Sequence, residues 1–225
     1  MDGLTCLQAV AMTTTPIGSR DLARQLGMEP TRVNRLLKTL AHLGLTTQDT
    51  RKKYTTGPAI HILSAQTLFA SGLLRQTLPA LRGLQQLDCI VALGVLWNDQ
   101  VAYLCHALPD QPVEDGIGRL GLFPATQSSI GMVLLARKTD AEIRSLFKGK
   151  NIPRYGSDIS HLIQDLNLVR SHGYAHVDEE TGVTSLAVPV GANPISAIAV
   201  SGAAVRKNFT QALHLLMKSV DGLME

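Results

Sequence analysis

The 225-residue sequence contains few aromatic residues and few cysteines. Aromatic side chains make up 4% of the chain, so a stacking platform for single-stranded nucleic acid is not expected. The cysteines, Cys6, Cys89 and Cys105, form no metal-binding CxxC pair and indicate a reduced, cytoplasmic protein without disulfides. The sequence contains no uninterrupted run of about 18 apolar residues, which is the length that a membrane-spanning helix needs. The first residues lack the pattern of a secretory signal.

The sequence also lacks the short motifs that mark common catalytic sites. It contains no GxSxG, HExxH or Walker A motif, and no GxGxxG after a predicted strand. His172 and His176 are four residues apart, but Gly173 between them is predicted to end a helix, so they are not expected to share a helix face. The acidic run at residues 178–180 is more typical of a loop than of a metal or acid–base cluster. We therefore expect no catalytic residues, no metal site and no cofactor.

Positive charge is concentrated in the first quarter of the chain. Residues 1–57 carry eight basic and four acidic side chains, whereas residues 58–225 carry 13 basic and 14 acidic side chains. The excess behind the net charge of +3 therefore lies in residues 1–57. A small basic domain joined to a nearly neutral one indicates an anionic partner for the first part, although chance clustering would give the same counts.

The basic quarter has the pattern of a helix-turn-helix. An apolar face over residues 4–12 predicts a first helix, Ser19 can cap a second helix that stops at Gly27, and Pro30 suits the first turn of a third. In the third helix, apolar residues spaced by three and four positions form one face. The opposite face carries Thr31, Arg32, Asn34, Arg35, Lys38 and His42.

The residue types on that face suit the recognition of DNA. Arg can form two hydrogen bonds with guanine and Asn two with adenine, while Lys and Thr commonly contact phosphates. A solvated helix face has the same composition, so the helix alone leaves both interpretations open. Short alternating segments at residues 45–48 and 53–55 then predict a basic hairpin, which is typical of the wing of a winged helix-turn-helix. The predicted DNA-binding residues are Ser19, Arg20, Thr31, Arg32, Asn34, Arg35, Lys38, Arg51, Lys52 and Lys53.

The rest of the chain mixes helices with strands. An apolar helix over residues 58–73 is predicted to link two domains and, through its surplus apolar surface, to serve a subunit interface. Strands are predicted at residues 90–97, 101–106, 113–117, 185–190 and 195–201, and helices at residues 74–87, 128–137, 140–147, 159–172 and 209–224. Strands flanked by helices indicate an α+β domain. The predicted domains are a winged helix-turn-helix over residues 1–57, a linker helix over residues 58–73 and an effector-binding domain over residues 74–225.

Several stretches resemble the IclR family of bacterial transcription regulators. They are SRDLARQLG (19–27), VNRLLKTL (33–40), YTTGP (54–58), PATQSSIG (124–131) with LLA (134–136), RSHGYA (170–175) with DEE (178–180), LAVPV (186–190) and AVSG (199–202). The resemblance implies a winged helix-turn-helix, a linker helix and a GAF-like effector domain with a mixed or antiparallel sheet flanked by helices. It also implies a homodimer or homotetramer that binds palindromic, double-stranded operator DNA and responds to a small-molecule effector, often a carboxylate.

The resemblance places the effector pocket of the family at residues 126–131, near Asp178 and at the strand start of Ser185. This chain departs from the common family pattern at Thr126 (commonly His), Met132 (commonly Lys), Val177 (commonly an acid) and Ser185 (commonly Cys), and its loop before Gly182 is shorter. Because these differences fall in the pocket, the resemblance does not carry over the identity of the ligand.

The residues of this pocket favour an oxygen-rich ligand. Ser128 and Ser129 lie where a helix is predicted to begin, and backbone N–H groups at such a position attract anions. Ser185 adds a third hydroxyl, and either serine of the helix could equally serve only as its cap. We expect a small hydroxylated carboxylate. The predicted effector-binding residues are Leu96, Ile117, Phe123, Thr126, Ser128, Ser129, Ile130, Asp178 and Ser185.

These observations predict a cytoplasmic transcription regulator that associates with the nucleoid when it is bound to DNA, and that is not an enzyme. Two alternatives remain open at this point. One is a metabolic enzyme with an accessory DNA-binding module, which a catalytic residue set in the pocket would favour. The other is a protein-interaction adaptor whose winged helix contacts protein, which a weak salt dependence of DNA affinity would favour.

Overall fold

A computed structural model describes residues 2–118, 121–192 and 194–223 of the chain. The chain divides between Gly72 and Leu73 into an N-terminal unit and a C-terminal unit, each with its own core. In these described ranges, no helix has the length and apolar character that crossing a membrane requires.

The N-terminal unit packs helices against a small antiparallel sheet. Its helices are α1 (Asp2–Ala11), α2 (Ser19–Leu26), α3 (Pro30–His42) and α4 (Pro58–Ser71). Its strands are β1 (Ile17–Gly18), β2 (Thr46–Gln48) and β3 (Lys53–Thr56), in the sheet order β1–β3–β2. The apolar faces of the first three helices meet in a core that includes the buried residues Leu22, Val33, Leu37 and Tyr54. The predicted helix-turn-helix with a hairpin is therefore confirmed.

Local sequence explains where α2 and α3 begin and end. α2 stops because Gly27 adopts a left-handed conformation (φ 63°), which glycine reaches without steric cost. α3 begins at Pro30, whose fixed φ and missing N–H suit the first helical position. The predicted cap by Ser19 is wrong: Ser19 is the first helical residue, and Gly18 at the N-cap position has no side chain to form a capping bond.

The C-terminal unit is a six-stranded sheet with helices on both faces, which confirms the α+β prediction. Its strands are β4 (Ile90–Trp97), β5 (Gln100–Ala107), β6 (Leu122–Pro124), β7 (Ala175–Asp178), β8 (Thr184–Val190) and β9 (Ser196–Gly202), in the sheet order β6–β5–β4–β9–β8–β7. Each of these pairings is antiparallel. Its helices are α5 (Leu73–Leu84), α6 (Ser129–Leu135), α7 (Asp140–Leu146), α8 (Ile159–His172), α9 (Ala203–Lys207) and α10 (Phe209–Val220).

Alternating side chains of the sheet divide the core into two layers. On β4, Val91 packs in the layer formed with α5 and α10, whereas Ala92 packs in the layer formed with α6 and α8. Every residue of α6 is buried. The Arg170 guanidinium of α8 fixes the end of α6, because it donates to the carbonyl oxygens of Ala136 (2.8 Å) and Lys138 (2.7 Å).

The segment after β5 differs from the sequence prediction. Residues 113–117 were expected to form a strand, but Val113–Gly116 is a 3₁₀-helix and Ile117 makes an isolated bridge with Cys105. The two buried residues of the 3₁₀-helix are its first and last, three positions apart, which suits a helix with three residues per turn. The short elements β1, β6, β7 and α9 were not predicted, because two to five residues are too few to show a period.

The predicted linker helix corresponds to α4, which has no buried residue. It ends before Gly72, and Leu73, the last residue of the predicted linker helix, is buried in the core of the C-terminal unit. Phe69 is 84% exposed, and Ile62 and Leu63 are each more than half exposed. An apolar helix that buries none of its faces indicates an interaction surface.

Candidate nucleic-acid interface and ligand cavity

α3 presents a polar face on the outside of the N-terminal unit. Val33, Leu37 and Leu40 turn inward and are buried. The outward residues are the exposed Thr31, Arg32, Arg35 and Lys38 and the half-buried Asn34. These five predicted DNA-binding residues therefore share one surface, and a helix of this kind fits the major groove of B-form DNA.

Arg32 of α3 and Arg20 of α2 are both exposed. The guanidinium of Arg32 forms an ion pair with Asp2 at the start of α1, in which both side chains remain partly exposed. Exposed pairs of this kind contribute about 0–1 kcal/mol, so a DNA phosphate could replace the carboxylate at little cost. Ser19 and Arg20 open α2, where Ser19 is half-buried and Arg20 is exposed.

The hairpin between β2 and β3 carries three consecutive basic residues at its end. Arg51, Lys52 and Lys53 are all exposed. Asp49 closes the turn, because its carboxylate accepts from the Lys53 N–H (2.8 Å) and its carbonyl accepts from the Lys52 N–H (3.0 Å). Lys52 adopts a left-handed conformation (φ 60°) within this turn. The hairpin thus holds a compact group of cations of the kind that contacts DNA phosphates.

A cavity of about 300 Å³ lies in the C-terminal unit beside the start of α6, and we call it the effector cavity. Its polar lining residues are Tyr103, His106, Gln127, Ser128, Ser129, Glu179, Ser185 and Ser201. Its apolar lining residues are Ile90, Ala92, Phe123, Val177, Val183 and Ala199. A cavity of this size, with convergent polar groups on an apolar background, suits a small metabolite.

Hydrogen bonds hold the hydroxyl groups of the effector cavity in place. Ser128 caps α6 by accepting from the Gly131 N–H (3.3 Å), and its Oγ also lies 3.0 Å from the Tyr103 hydroxyl. Ser129 Oγ and Ser185 Oγ lie 2.6 Å apart. Ser128 is therefore both a helix cap and a lining residue of the cavity.

Tyr103 and His106 share a wall of the effector cavity because β5 contains a bulge. Consecutive residues of β4 oppose Tyr103 and Cys105, so Leu104 is an inserted residue. Side chains three positions apart point to opposite faces of a regular strand, and the insertion returns them to one face. The two rings meet edge to face with centroids 5.7 Å apart. Neither Tyr103 nor His106 was predicted to line the pocket, because a bulge leaves no local pattern in the sequence.

The ionisable groups of the effector cavity carry little positive charge. Burial raises the pKa of the Tyr103 hydroxyl, the bond with Ser128 opposes this shift, and the charge of Glu179 adds to it. Tyr103 therefore stays a neutral phenol that can donate and accept hydrogen bonds. Among the described lining residues there is no Lys or Arg.

Four of the nine predicted effector-binding residues line the effector cavity, namely Phe123, Ser128, Ser129 and Ser185. Asp178 does not: Val177 of β7 and Glu179, which directly follows β7, line the cavity, whereas the Asp178 carboxylate accepts a hydrogen bond from the Thr184 hydroxyl. Glu179 thus occupies the place that the sequence analysis gave to Asp178.

The other four predicted effector-binding residues also lie outside the lining. Thr126 is buried, and its hydroxyl donates to the Pro153 carbonyl oxygen (2.7 Å). Ile130 of α6 is fully buried in the core layer that α6 and α8 form with the sheet, and Leu96 packs against the same layer. Ile117 is 40% exposed at the end of the 3₁₀-helix.

The three cysteines are buried free thiols. Burial raises the pKa of Cys89 and of Cys105 to about 11, so both thiols are neutral near pH 7. Across the residues that the structure describes, no group of three His, Cys, Asp or Glu side chains is placed to hold a metal ion.

Two family models match the chain, each in one of its parts. The IclR helix-turn-helix domain matches residues 3–50, and the bacterial transcriptional regulator IclR C-terminal domain matches residues 65–220. The HTH-type transcriptional regulator BhcR of Paracoccus denitrificans is 28% identical over 202 residues, which cover 83% of this chain and 71% of BhcR. The HTH-type transcriptional regulator KdgR of Escherichia coli is 28% identical over 184 residues, which cover 77% of this chain and 69% of KdgR.

Solved structures share the fold. An IclR transcriptional regulator from a Silicibacter species superposes with a TM-score of 0.78 at 21% identity, over 97% of this chain and 91% of that one. An IclR homologue of Microbacterium hydrocarbonoxydans, in complex with 4-hydroxybenzoate, gives a TM-score of 0.71 at 20% identity, over 98% of this chain and 95% of that one. Because the two family models match most of the sequence, the chain belongs to the IclR family of bacterial transcriptional regulators.

Proposed function

We propose that this regulator binds palindromic operator DNA and that a small-molecule effector changes its affinity for that DNA. Residues 1–57 bind DNA, residues 58–73 link the two parts, and residues 74–225 bind the effector. The observation that carries the DNA-binding part is the exposed polar face of α3 beside the basic hairpin. Both features lie in a unit whose excess charge is positive, as binding to phosphates requires.

In this proposal α3 enters the major groove. Asn34 and Arg35 lie in the middle of the helix and read base edges, while Thr31 and Lys38 contact phosphates on either side. Arg32 exchanges its partner Asp2 for DNA. The remaining contacts to the backbone or the minor groove come from Ser19, Arg20, Arg51, Lys52 and Lys53.

We further propose that the chain acts as a homodimer or homotetramer. The support is α4, because Ile62, Leu63 and Phe69 expose more apolar surface than a monomer usually leaves in water. A two-fold dimer presents two copies of α3, so its operator would contain two inverted half-sites.

The effector proposed here is a small hydroxylated carboxylate bound in the effector cavity. The hydroxyls of Ser128, Ser129 and Ser185 would exchange hydrogen bonds with the ligand oxygens, and Glu179 would accept from a ligand hydroxyl. His106, when protonated, would pair with the carboxylate. The 4-hydroxybenzoate bound by the Microbacterium homologue belongs to this chemical class, which supports the proposal.

Regulation would follow from differential binding. An effector that binds one arrangement of the subunits more tightly raises the population of that arrangement, and the spacing of the two α3 helices changes with it. The test is fluorescence anisotropy with operator DNA in the presence and absence of a metabolite that stabilises the protein. We expect the apparent Kd to change, and an unchanged Kd at saturating metabolite would contradict the effector part of the proposal.

We infer that the chain is a regulator rather than an enzyme, and that it acts in the cytoplasm and on the nucleoid, where its DNA is. Two measurements separate this from the alternatives. Conversion of the bound metabolite, followed by NMR, would support an enzyme with a DNA-binding module. DNA affinity that hardly changes with salt would support a protein-interaction adaptor, since phosphate contacts make affinity steeply salt-dependent.

A further inference from the structure

A second cavity, of about 200 Å³, lies in the C-terminal unit beside the edge strand β7, and we call it the ring cavity. It shares no lining residue with the effector cavity. His172 at the end of α8 and His176 on β7 both line it, although their spacing in the sequence gave no reason to expect this. Two of the four tyrosines of the chain, Tyr155 and Tyr174, line it as well.

The ring cavity concentrates aromatic rings in a chain that has few of them. His172 stacks on Tyr174 with centroids 5.6 Å apart and an interplanar angle of 21°. Tyr174 and His176 both meet Phe209 behind the cavity, with centroids 6.3 and 5.8 Å apart. These ring contacts restrict the orientations of His172, Tyr174 and His176.

Arg154 brings a permanent positive charge to the ring cavity. It lies at the end of a tight loop in which the N–H of Ile152 donates to the Gly156 carbonyl (2.6 Å) and the N–H of Gly156 donates to the Ile152 carbonyl (2.7 Å). Its guanidinium carbon lies 6.0 Å from the centroid of the Tyr155 ring. The acidic lining residue Asp165 accepts a hydrogen bond from the Tyr155 hydroxyl (2.7 Å).

We propose that the ring cavity is a second ligand site and that its ligand is an aromatic acid with one ring. The volume is below the usual range for drug-sized ligands, which limits the ligand to a single ring. The ring would lie against Leu168, Val169 and the tyrosines, and the carboxylate would meet the Arg154 guanidinium in a two-bond pair.

The ring cavity is also connected to the effector cavity. The loop that carries Arg154 is held by the bond from the Thr126 hydroxyl to the Pro153 carbonyl oxygen, and Thr126 directly precedes the lining segment Gln127–Ser129. β7 contributes to both cavities, since consecutive residues of a strand point to opposite faces. A ligand in the ring cavity would therefore affect the effector cavity through this bond.

The test uses benzoate as the probe, with the full chain, in isothermal titration calorimetry. Benzoate should bind the wild type, and Arg154→Gln should weaken binding by about fivefold, because the charge-assisted pair with this exposed arginine is lost. Arg154→Gly, which suits the positive φ of this position, should weaken it equally, so that a distorted loop is not the cause. The matched control Lys148→Gln removes an exposed cation that does not line the ring cavity and should leave the affinity unchanged.

Two further results decide where benzoate binds. Ser129→Leu, which fills the effector cavity, should leave benzoate binding intact. Hydrogen exchange should slow at residues 168–176 on addition of benzoate, and Thr126→Val should remove any change at residues 127–129 without removing binding. The proposal is overturned if the wild type does not bind benzoate at millimolar concentration, or if Ser129→Leu abolishes binding while Arg154→Gln does not. Protection at residues 127–129 that persists in Thr126→Val would overturn the proposed connection.

Discussion

The hydroxyl oxygens of Ser129 and Ser185 lie 2.6 Å apart and join the start of α6 to β8 in the wall of the effector cavity. Ser129 is 2% exposed, so bulk water does not compete freely for this bond. A ligand that offers its own oxygen atoms must share or replace it. A ligand that alters this hydrogen bond would therefore affect both α6 and β8.

Ser129→Leu should abolish the response to the effector. Leucine removes a hydroxyl and fills part of the cavity, so a metabolite that stabilises the wild type should no longer do so. The wild-type gain is RT ln(1 + [L]/Kd), about 2.7 kcal/mol at a hundredfold excess of ligand over Kd. A thermal-shift screen measures it. Ser145→Leu, at an exposed position of α7, is the matched control and should respond as the wild type does. A full response of Ser129→Leu would place the effector elsewhere.

Arg35→Ala should weaken specific DNA binding by about 1–3 kcal/mol, because an arginine in the middle of α3 can form two hydrogen bonds with one base. The preference for that base should relax at the same time. Competition anisotropy with a set of single-base variants of the operator measures both effects. Arg144→Ala removes an exposed arginine of α7 and serves as the control. Uniform weakening across all variants would show that Arg35 contacts phosphate instead.

Lys52→Gly should weaken binding to all DNA sequences alike. Glycine accepts the left-handed conformation of this position, so the turn is kept while one cation is removed. The slope of log K against log salt should become shallower by about one unit, because a protein with one phosphate contact fewer releases fewer counterions when it binds. If both the slope and the affinity were unchanged, the hairpin would not be part of the DNA interface.

Phe69→Glu should dissociate the oligomer. Phe69 is 84% exposed on a helix without buried residues, and a charge there opposes the burial of α4 in a subunit interface. Sedimentation velocity should show the wild type as a dimer or tetramer at micromolar concentration and the variant as a smaller species. Ser64→Glu, at another exposed position of α4, controls for the added charge itself. A wild type that sediments as a monomer, with or without DNA, would rule out this role for α4.

Gly131→Ala should destabilise the C-terminal unit. A Cβ atom at Gly131 would lie 2.1 Å from the Ala125 carbonyl oxygen, so α6 must move away from the turn that precedes it. Overpacking of this kind costs about 1–3 kcal/mol or more. Gly83→Ala is the control, because a Cβ atom there meets nothing within 4 Å and alanine favours the helix by about 1 kcal/mol. Urea unfolding should show a loss for the first variant and no loss for the second.

Local sequence signals were sufficient to predict the helices of the N-terminal unit. The effector cavity could not be predicted in the same way, because it depends on contacts between residues that are distant in the sequence. Gly27, Pro30 and the apolar period predicted α2 and α3 because each signal acts within one helix turn. The wall formed by Tyr103 and His106 needs a bulge in β5, which has no signature in the sequence. The exchange of Asp178 for Glu179 is a shift from the last residue of β7 to the residue that follows it, and this four-residue strand is too short for its alternation to be visible.

We propose that the N-terminal unit reads DNA sequence through α3. The most direct measurement is selection of genomic DNA fragments by the purified protein, followed by sequencing of the bound fragments. We expect one enriched motif with two inverted half-sites, which disappears when Arg32, Asn34, Arg35 and Lys38 are all replaced by Ala. Equal enrichment by the wild type and this quadruple variant, or no enriched motif for the wild type, would contradict the claim.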